Sequence, residues 1–226
     1  MLRRELLTKT LLSTLSLTLF AKVFGRTALA QAGACELGAT PKQGTGPFYP
    51  TDHLPHDVID NDADLVTLEG NSNQAKGKVV FVTGRIMSDQ CLPVSGALVE
   101  IWQACAAGKY NHPADMNPAP LDPNFQYWGK SFTDANGHYR FRTIIPGAYP
   151  ASQDWDRPPH IHFKISCAGY TELITQMYFK NNPLNETDLI LQSLKKSEQK
   201  KLIVEFRNHA NQIFPVGEFN IQIQKI

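Results

Sequence analysis

The most regular strand pattern of the chain is Arg157-Pro158-Pro159-His160-Ile161-His162-Phe163-Lys164-Ile165-Ser166. Apolar and polar residues alternate from His160 onward, and an alternation of period two is typical of a β-strand with one buried face. The pattern therefore predicts a strand over residues 160–166. Its isoleucines and phenylalanine point toward a core, and His160 and His162 project together from the opposite face.

Short strand patterns recur on both sides of this segment and predict an all-β fold. They lie at residues 79–84, 97–103, 137–143, 173–179, 202–206 and 219–223. One helix is indicated within residues 186–201, where Leu189, Ile190 and Leu194 approach helical spacing. Because turns separate the short strands and no strand–helix–strand rhythm appears, we expect an antiparallel β-sandwich core with long loops and at most one or two short helices.

Composition indicates a single globular domain and excludes some partners. With 226 residues, 42% of them hydrophobic, the chain can bury one full core. Its 15 glycines and 15 prolines fit a loop-rich β protein better than a helical bundle. A formal net charge of +1 offers no electrostatic footprint for nucleic acid, so we expect no nucleic-acid partner.

The first residues resemble a targeting segment rather than part of the fold. Arg3-Arg4-Glu5-Leu6-Leu7 precedes an apolar stretch at 11–24, and Ala28-Leu29-Ala30 offers small residues for a signal peptidase. We therefore expect a signal peptide over 1–32, twin-arginine-like or ordinary secretory, and export to the bacterial periplasm. Lys22 interrupts the apolar stretch, which argues against stable membrane insertion. The alternative is lipidation of Cys35, because Ala32-Gly33-Ala34-Cys35 faintly resembles a lipobox.

After the signal, the chain divides into two parts. Residues 33–77, rich in Gly, Pro, Asp and Asn, are predicted to form an irregular N-terminal arm, and residues 78–226 the β-sandwich catalytic domain. Four cysteines in an oxidising compartment allow one or two disulfides among Cys35, Cys91, Cys105 and Cys167. Cys105 and Cys167 lie in or beside strand patterns, so they fit equally well as small buried residues.

Two tyrosines upstream of the histidines turn a weak motif into a candidate metal site. An isolated His-x-His strand is equally typical of a face exposed to water. Tyr110 and Tyr149 lie in the turn-like contexts Gly108-Lys109-Tyr110-Asn111-His112 and Pro146-Gly147-Ala148-Tyr149-Pro150. Phenolate is a hard anionic ligand that must lose a proton, which favours an ion of high charge. Two phenolates and two neutral imidazoles therefore point to ferric iron, whereas zinc and copper sites more often use His, Cys or carboxylate.

Several motifs between about residues 79 and 183 occur together in one known family. They are Leu98-Val99-Glu100-Ile101-Trp102-Gln103-Ala104 before the Tyr110 motif; Pro120-Leu121-Asp122-Pro123-Asn124-Phe125; Phe141-Arg142-Thr143-Ile144 before the Tyr149 motif; Asp154-Trp155; the strand quoted first; and Leu173-Ile174-Thr175-Gln176-Met177-Tyr178-Phe179. With these motifs the chain resembles the intradiol ring-cleavage dioxygenases, and its core is most similar to the β subunit of the branch that cleaves protocatechuate. Thr40-Pro41-Lys42-Gln43 and Gly46-Pro47-Phe48-Tyr49 resemble the segment that lines the substrate mouth in this family.

The resemblance implies a cofactor and a reaction. It implies a non-haem Fe3+ held by Tyr110, Tyr149, His160 and His162, with water or hydroxide as a further ligand. A protocatechuate-like catechol displaces the hydroxide and Tyr149. O2 then cleaves the ring between its hydroxyl-bearing carbons, which gives a cis,cis-muconate-type diacid.

The resemblance also implies roles for residues outside the ligand set. Arg157 stabilises negative charge on the ring, a role suited to a cation that cannot lose its proton. Gln176 is a polar catalytic residue beside the oxygen pocket. Gly46 and Pro47 are expected to contact the substrate together with Arg157. Trp102 is expected to be a core residue, because a large aromatic side chain in an apolar strand is usually buried.

Residues near the predicted ligands are expected to orient Tyr110 and to change the shape of the substrate pocket. His112 and Asp115 are expected to orient Tyr110. Two departures from the family pattern concern the substrate: Ala151 stands where an aromatic side chain packs near it, and the loop at 149–160 is slightly shorter. The export signal is a third departure, because these dioxygenases are normally cytoplasmic.

Two other functions fit the residues less completely. A secreted β-sandwich module could bind catechols or iron without turnover, but such a module would not need Arg157 and Gln176 beside the four ligands. A zinc or copper hydrolase could use the two histidines, but no carboxylate or third imidazole lies close in sequence. The sequence also allows a homo-oligomer, in which the arm lines its own site or that of a neighbour.

Overall fold

The computed structural model describes residues 38–50 and 62–226, so the predicted signal peptide over 1–32, Cys35 and part of the predicted arm lie outside the described residues. The described chain forms mainly strands: β1 (Val79–Ser88), β2 (Leu98–Trp102), β3 (Trp128–Phe132), β4 (His138–Ile144), β5 (Tyr149–Ser152), β6 (Trp155–Arg157), β7 (His160–Ser166), β8 (Leu173–Phe179), β9 (Ile203–Val204), β10 (Phe206–Arg207), β11 (Val216–Glu218) and β12 (Ile221–Ile223). Its helical elements are a 3-10 turn (Pro183–Glu186), α1 (Leu189–Gln192) and α2 (Lys196–Leu202).

Two five-stranded sheets pack around one core. In the first sheet β1 pairs with β4, β11 and β12, and β11 also pairs with β10; the second has the order β3-β2-β7-β8-β9. Val82 and Phe141 of the first sheet and Ile101 and Phe163 of the second are fully buried in one hydrophobic cluster. The rings of Tyr139 and Phe163 meet across the two sheets at a centroid distance of 6.1 Å. This architecture confirms the predicted all-β sandwich core.

The sheets are mixed, which corrects the prediction of an antiparallel core. β1 runs parallel to β11 and β12, and β8 runs parallel to β9. Parallel neighbours need a crossover connection rather than a hairpin, and the helical segment between β8 and β9 provides one. Leu202 accordingly ends α2, although the local apolar pattern predicts a strand over 202–206.

Four of the described strands lie outside the predicted strand patterns, namely β3, β5, β6 and β11. β3 contains Gly129, Lys130 and Ser131, which have low strand propensity. It forms because its backbone pairs along the whole of β2. A side chain at Gly129 would place its Cβ 2.6 Å from Leu65 Cδ1, so close packing requires the glycine. Long-range contacts therefore determine this strand.

The helical region at 186–201 breaks into two short helices, within the predicted limit. Asp188 caps α1 because its Oδ2 accepts a hydrogen bond from Leu191 N–H at 3.0 Å. Glu198 closes the start of α2 by accepting from Lys195 N–H at 2.9 Å. Among the described helices, none is long and apolar enough to cross a membrane.

The first described segment of the arm, residues 38–50, lies on the second sheet. Gln43 N–H donates to the carbonyl of Ile174 in β8 at 2.8 Å. The hydroxyl of Tyr49 donates to Glu100 Oε1 at 3.0 Å, and Lys164 Nζ donates to the Tyr49 oxygen at 3.2 Å. These contacts hold the arm across the same face of β7 that carries the two histidines.

The cysteines separate into two kinds. Cys91 is disulfide-bonded, whereas the thiols of Cys105 and Cys167 are free. Cys105 is buried in the core, and its Sγ lies 3.7 Å from the carbonyl oxygen of Pro120. Cys105 is therefore a small core residue, which confirms the second of its two predicted roles and not the disulfide.

Candidate metal centre

The four predicted metal ligands lie together at one end of the sandwich. His160 and His162 project from the same face of β7, and each is only 2% exposed. Tyr110 follows β2 and Tyr149 begins β5. The Tyr110 and Tyr149 ring centroids are 5.5 Å apart, and the centroid of Tyr149 lies 5.7 Å from that of His160. The alternative of a histidine face open to water is wrong, because both imidazoles are buried.

The ligand atoms have the spacing of neighbours around one ion. His160 Nε2 lies 3.2 Å from His162 Nε2 and 3.4 Å from the Tyr110 hydroxyl oxygen. Metal–nitrogen bonds of about 2.1 Å at right angles would separate adjacent ligands by about 3 Å. The observed separations of 3.2 and 3.4 Å are close to this value, so the three atoms fit neighbouring positions around one ion.

Neighbouring groups orient the two imidazoles. His160 Nδ1 lies 2.7 Å from the carbonyl oxygen of Pro158, which can only accept, so Nδ1 carries the proton and Nε2 keeps its lone pair. The His162 ring stacks on Trp102 at a centroid distance of 4.8 Å and an interplanar angle of 12°. His162 Nδ1 has no hydrogen-bond partner among the described residues. Packing against Trp102 therefore fixes this ring.

Both histidines are neutral at physiological pH. Burial lowers the pKa of His160 well below 6.5, and the nearby cation of Arg157 and the second imidazole lower it further. Burial, again with Arg157, lowers the pKa of His162 to about 3. A neutral imidazole can bind a metal ion without first losing the proton of an imidazolium, so both rings are in the form that a metal ion requires.

The two phenols, unlike the imidazoles, must lose a proton before they can bind a metal ion. Burial raises the pKa of Tyr110 well above 10, and the neighbouring Tyr149 raises it further. Burial also raises the pKa of Tyr149, although the cation of Arg157 opposes the shift. The protein alone therefore keeps both phenols protonated. A bound ion of high charge is needed to make them phenolates, which agrees with the reasoning from ligand chemistry.

Two glycines allow the loops that carry the tyrosines to meet. A side chain at Gly108, whose φ is +77°, would overlap the carbonyl oxygen of Ala148. A side chain at Gly147 would place its Cβ 2.5 Å from the amide nitrogen of Gly108. The loops thus touch backbone to backbone one or two residues from Tyr110 and Tyr149. This contact explains the glycine beside each tyrosine in the sequence.

Asp115 holds the Tyr110 loop in the expected manner. Its Oδ2 accepts a hydrogen bond from Tyr110 N–H at 2.6 Å, and its backbone carbonyl accepts from Lys109 Nζ at 2.5 Å. His112 Nδ1 accepts a hydrogen bond from Ala114 N–H at 3.1 Å, and its ring lies 5.9 Å from that of Phe48, which packs on Tyr110.

Arg157 lies buried beside the ligands with its guanidinium hydrogen-bonded on two sides. Its Nε donates to Asp188 Oδ1 at 2.8 Å, and its Nη2 donates to Gln176 Oε1 at 2.7 Å and to the Tyr178 oxygen at 3.3 Å. Burial lowers the pKa of Arg157, but Tyr178, Tyr149 and Asp188 outweigh that effect and raise it overall. Arg157 is therefore a permanent cation in a site closed to water.

Three polar residues of this network were missed from the sequence. Asp188 and Tyr178 contact Arg157, and Gln43 Nε2 donates to the Tyr178 oxygen at 3.3 Å. Gln43 is 9% exposed, and its Oε1 has no partner among the described residues. Asp188 lies within the predicted helical region 186–201, which contained no predicted site residue. Gln43 belongs to the first arm motif, whereas the predicted substrate contacts, Gly46 and Pro47, belong to the second.

The predicted substrate-contacting residues of the arm reach the centre of their own chain. Gly46, with φ of +70°, lies against His162: an added Cβ would sit 3.3 Å from Cε1 of that ring. Pro47 is exposed beside it, and the Phe48 ring lies 4.6 Å from that of Tyr110. Ala151, expected near the substrate, is exposed at the irregular pairing of β5 with β6.

Trp102 is both a core residue and part of the site. It is 1% exposed, as expected for the core. It belongs to a second apolar cluster that also contains Ala104, Tyr110 and Tyr149. This cluster surrounds the candidate ligands with apolar surface, which excludes water and strengthens electrostatic interactions there.

Comparison with known protein families and sequences gives a consistent result. A family model described as dioxygenase matches residues 45–224. The protocatechuate 3,4-dioxygenase beta chain of Burkholderia cepacia is 44% identical over 149 residues, which cover 64% of this chain and 63% of that protein. The chain spans less than two thirds of the length of this relative and about half of others that it matches.

Solved structures have the same fold. The dioxygenase domain of a dioxygenase–carbohydrate-binding protein fusion from Streptomyces sp. SirexAA-E is 29% identical with a TM-score of 0.62, and the match covers 83% of this chain and 99% of that chain. An intradiol ring-cleavage dioxygenase from Tetranychus urticae is 26% identical with a TM-score of 0.62, covering 83% and 95%.

Proposed function

The chain belongs to the intradiol ring-cleavage dioxygenase family, and from that membership we propose that it is a ferric enzyme acting on a protocatechuate-like catechol. It opens the ring between the two hydroxyl-bearing carbons with O2 and releases a cis,cis-muconate-type diacid. The observation that carries the proposal is the convergence of His160 Nε2, His162 Nε2 and the Tyr110 oxygen in a buried site beside Tyr149.

The four side chains match ferric iron in charge and in hardness. Tyr110 and Tyr149 would each bind as phenolate and together offset two of its three positive charges, while His160 and His162 bind as neutral ligands. Bound ferric iron supplies the Lewis acidity that activates a catechol toward O2. The remaining work of the protein is to place protons and charges around the substrate.

Tyr149 is suited to hold a proton that the substrate releases. A catechol must lose protons to bind as an anion, and a phenol whose pKa is raised by burial is a good acceptor for one of them. Arg157 pairs with Tyr149 in the β5–β6 ladder and favours the phenolate before the proton arrives. We assign to the Tyr149 oxygen the role of ligand and then of proton acceptor.

Arg157 is suited to stabilise negative charge on the ring. The guanidinium is only 4% exposed, and it stays charged there because anionic and polar groups surround it. Gln176 holds the Nη2 edge at 2.7 Å and keeps the cation beside the ligand strand. A fixed cation in a dry site stabilises developing charge more strongly than one in water.

The arm would close the mouth of the site. Gly46 and Pro47 lie at the open side of His162, and Phe48 covers Tyr110. The absence of a side chain at Gly46 lets the arm approach the imidazole, because an added Cβ would sit 3.3 Å from His162 Cε1.

Oxygen uptake by the purified, iron-loaded protein tests the proposal. Protocatechuate, catechol and hydroxyquinol are offered in turn, and we expect one O2 consumed per ring opened, with protocatechuate the best substrate and a diacid as product. The protein should also show a visible absorption band from phenolate ligands of ferric iron. A colourless protein with full iron occupancy would contradict the ligand assignment. A coloured protein that binds catechols without oxygen uptake would be a binding module.

We also propose that the mature enzyme is exported. The twin-arginine-like segment over 1–32 motivates this, and the disulfide at Cys91 supports it because disulfides persist in oxidising compartments. Fractionation of the native host followed by N-terminal sequencing tests the idea. We expect a periplasmic protein that begins near residue 33. A cytoplasmic protein that retains Met1 would refute export, and a lipid on Cys35 would indicate anchoring instead.

A further inference from the structure

Asp188 is a fully buried carboxylate that the resemblance to known enzymes left without a role. It is 0% exposed and lies 31 residues after Arg157 in the chain. Its Oδ1 accepts from Arg157 Nε at 2.8 Å and from Trp155 Nε1 at 3.2 Å. Its Oδ2 accepts from Leu191 N–H at 3.0 Å. Both carboxylate oxygens are therefore engaged, and the backbone of α1 fixes the position of the group.

The bonds of Arg157 show what this carboxylate contributes. Gln176 and Tyr178 bind only the Nη2 atom, and a single bonded atom leaves the guanidinium free to rotate about it. Asp188 binds Nε on another edge of the same planar group. Because Asp188 holds the Nε edge and Gln176 holds the Nη2 edge, the guanidinium plane has one defined orientation. The charge of Asp188 also compensates a buried cation that would otherwise be costly.

We propose that Asp188 is the positioning residue for Arg157, and that it holds the guanidinium in the orientation needed to stabilise negative charge on the substrate ring. This inference rests on the proposed dioxygenase function. It predicts that Asp188 acts on the reaction only through Arg157 and contributes nothing to metal binding. A structural residue that merely caps α1 would instead affect stability and every activity alike.

The variant Asp188→Ser separates these two roles. Serine is as good an N-cap as aspartate, so it preserves the cap of α1, but its side chain is too short to reach Arg157 and Trp155. Asp188→Asn is the second variant: it keeps the size and removes the charge. The matched control is Asn182→Ala, which removes the cap of the adjacent 3-10 turn, where Asn182 accepts from Leu184 N–H at 3.0 Å.

Iron content, thermal midpoint and steady-state kinetics are measured for all three variants. We expect Asp188→Ser to lower kcat by roughly 10- to 100-fold, the usual effect of losing a supporting partner, with KM and iron content close to wild type. Asn182→Ala should keep wild-type kcat. In a double-mutant cycle, Asp188→Ser should add almost nothing to Arg157→Lys, because the second change removes the group that the first one orients.

Three results would overturn the inference: a kcat for Asp188→Ser equal to that of Asn182→Ala, full additivity with Arg157→Lys, or a loss of iron. The crystal structure of Asp188→Ser gives a readout that does not depend on turnover. Displacement of the guanidinium from Gln176 Oε1 supports the positioning role even if the wild type consumes no oxygen, in which case only the proposed function fails. A guanidinium that stays in place refutes the positioning role. If the serine variant does not fold, Asp188→Asn is judged by the same measurements.

Discussion

The Nε2 atoms of His160 and His162 lie 3.2 Å apart, although residues two apart in a strand are separated by roughly 7 Å along it. The two rings therefore lean toward a common point instead of standing parallel. The hydrogen bond to Pro158 orients one ring, and stacking on Trp102 orients the other. The short contact between the two Nε2 atoms and the phenol oxygen of Tyr110 beside them make this pair the centre of the candidate metal site.

Loss of either imidazole should therefore abolish metal binding. We expect His162→Ala to weaken iron affinity by at least about 100-fold, more than the loss of a supporting partner costs, and to remove the visible absorption. Metal analysis after dialysis measures the effect. His138→Ala, at the exposed first residue of β4, is the matched control and should retain full iron. Full occupancy in His162→Ala would exclude His162 from the ligand set.

Tyr149→Phe should separate metal binding from turnover. Three ligands remain, so we expect iron to stay bound, while the absorption band shifts because one phenolate is gone. Without its proton acceptor, kcat should fall by roughly 100-fold. Absorption spectroscopy and oxygen uptake measure the two effects, and Tyr170→Phe serves as the control. An unchanged spectrum together with an unchanged rate would remove Tyr149 from the site.

Acidification should destabilise the metal-free protein through its buried histidines. In the unfolded chain these groups titrate near 6.5, whereas in the folded protein burial lowers the pKa of His162 to about 3. Between these two values the unfolded state binds more protons, so the free energy of unfolding decreases as the pH falls from 6.5 toward 3. Above pH 6.5 His162 is neutral in both states, and its contribution to the free energy of unfolding is fully present. That contribution is lost progressively as the pH falls from 6.5 toward 3.

Urea unfolding at pH 7 and pH 5 measures this loss. His162→Gln should reduce the difference in the free energy of unfolding between the two pH values, because the variant has one buried imidazole fewer. His138→Gln, at the exposed first residue of β4, should leave the difference as it is in the wild type. An equal difference in His162→Gln and the wild type would show that His162 is not held neutral by the fold.

The sequence predicts those parts of the site that local patterns determine. Period-two alternation places both histidines on one face of β7, and the glycines beside Tyr110 and Tyr149 indicate tight turns. The structure adds that Gly108 and Gly147 touch each other, which neither motif shows alone. Residues whose positions are set by strand alternation or by turn chemistry can therefore be predicted from the sequence.

Residues whose roles depend on contacts between distant segments of the chain cannot be predicted from local patterns. Asp188 resembles any helix cap, and its contact with Arg157 exists only because the segment after β8 folds back over β6. Gln43 reaches Tyr178 only because the arm lies on β8. In the same way β3 forms by pairing with β2 and not from its own composition. Distant contacts override local preference in each case.

Gly46→Ala should test the mouth of the site. A Cβ at this position would lie 3.3 Å from His162 Cε1, and the residue has a φ of +70°, so the substitution brings both crowding and backbone strain. We expect KM for the catechol to rise by about 10-fold or more, because a misplaced substrate-contacting segment impairs orientation. Steady-state oxygen uptake as a function of catechol concentration measures the change.

Gly96→Ala distinguishes crowding from strain. Gly96 has a φ of +71°, and an added Cβ would meet nothing within 4 Å, so this variant carries the backbone strain alone. Both variants should lower the thermal midpoint to a similar extent, because Ala is disfavoured at positive φ. Only Gly46→Ala should raise KM, since only its new methyl group approaches the imidazole of His162. Equal KM values in the two variants would show that the arm does not contact the substrate.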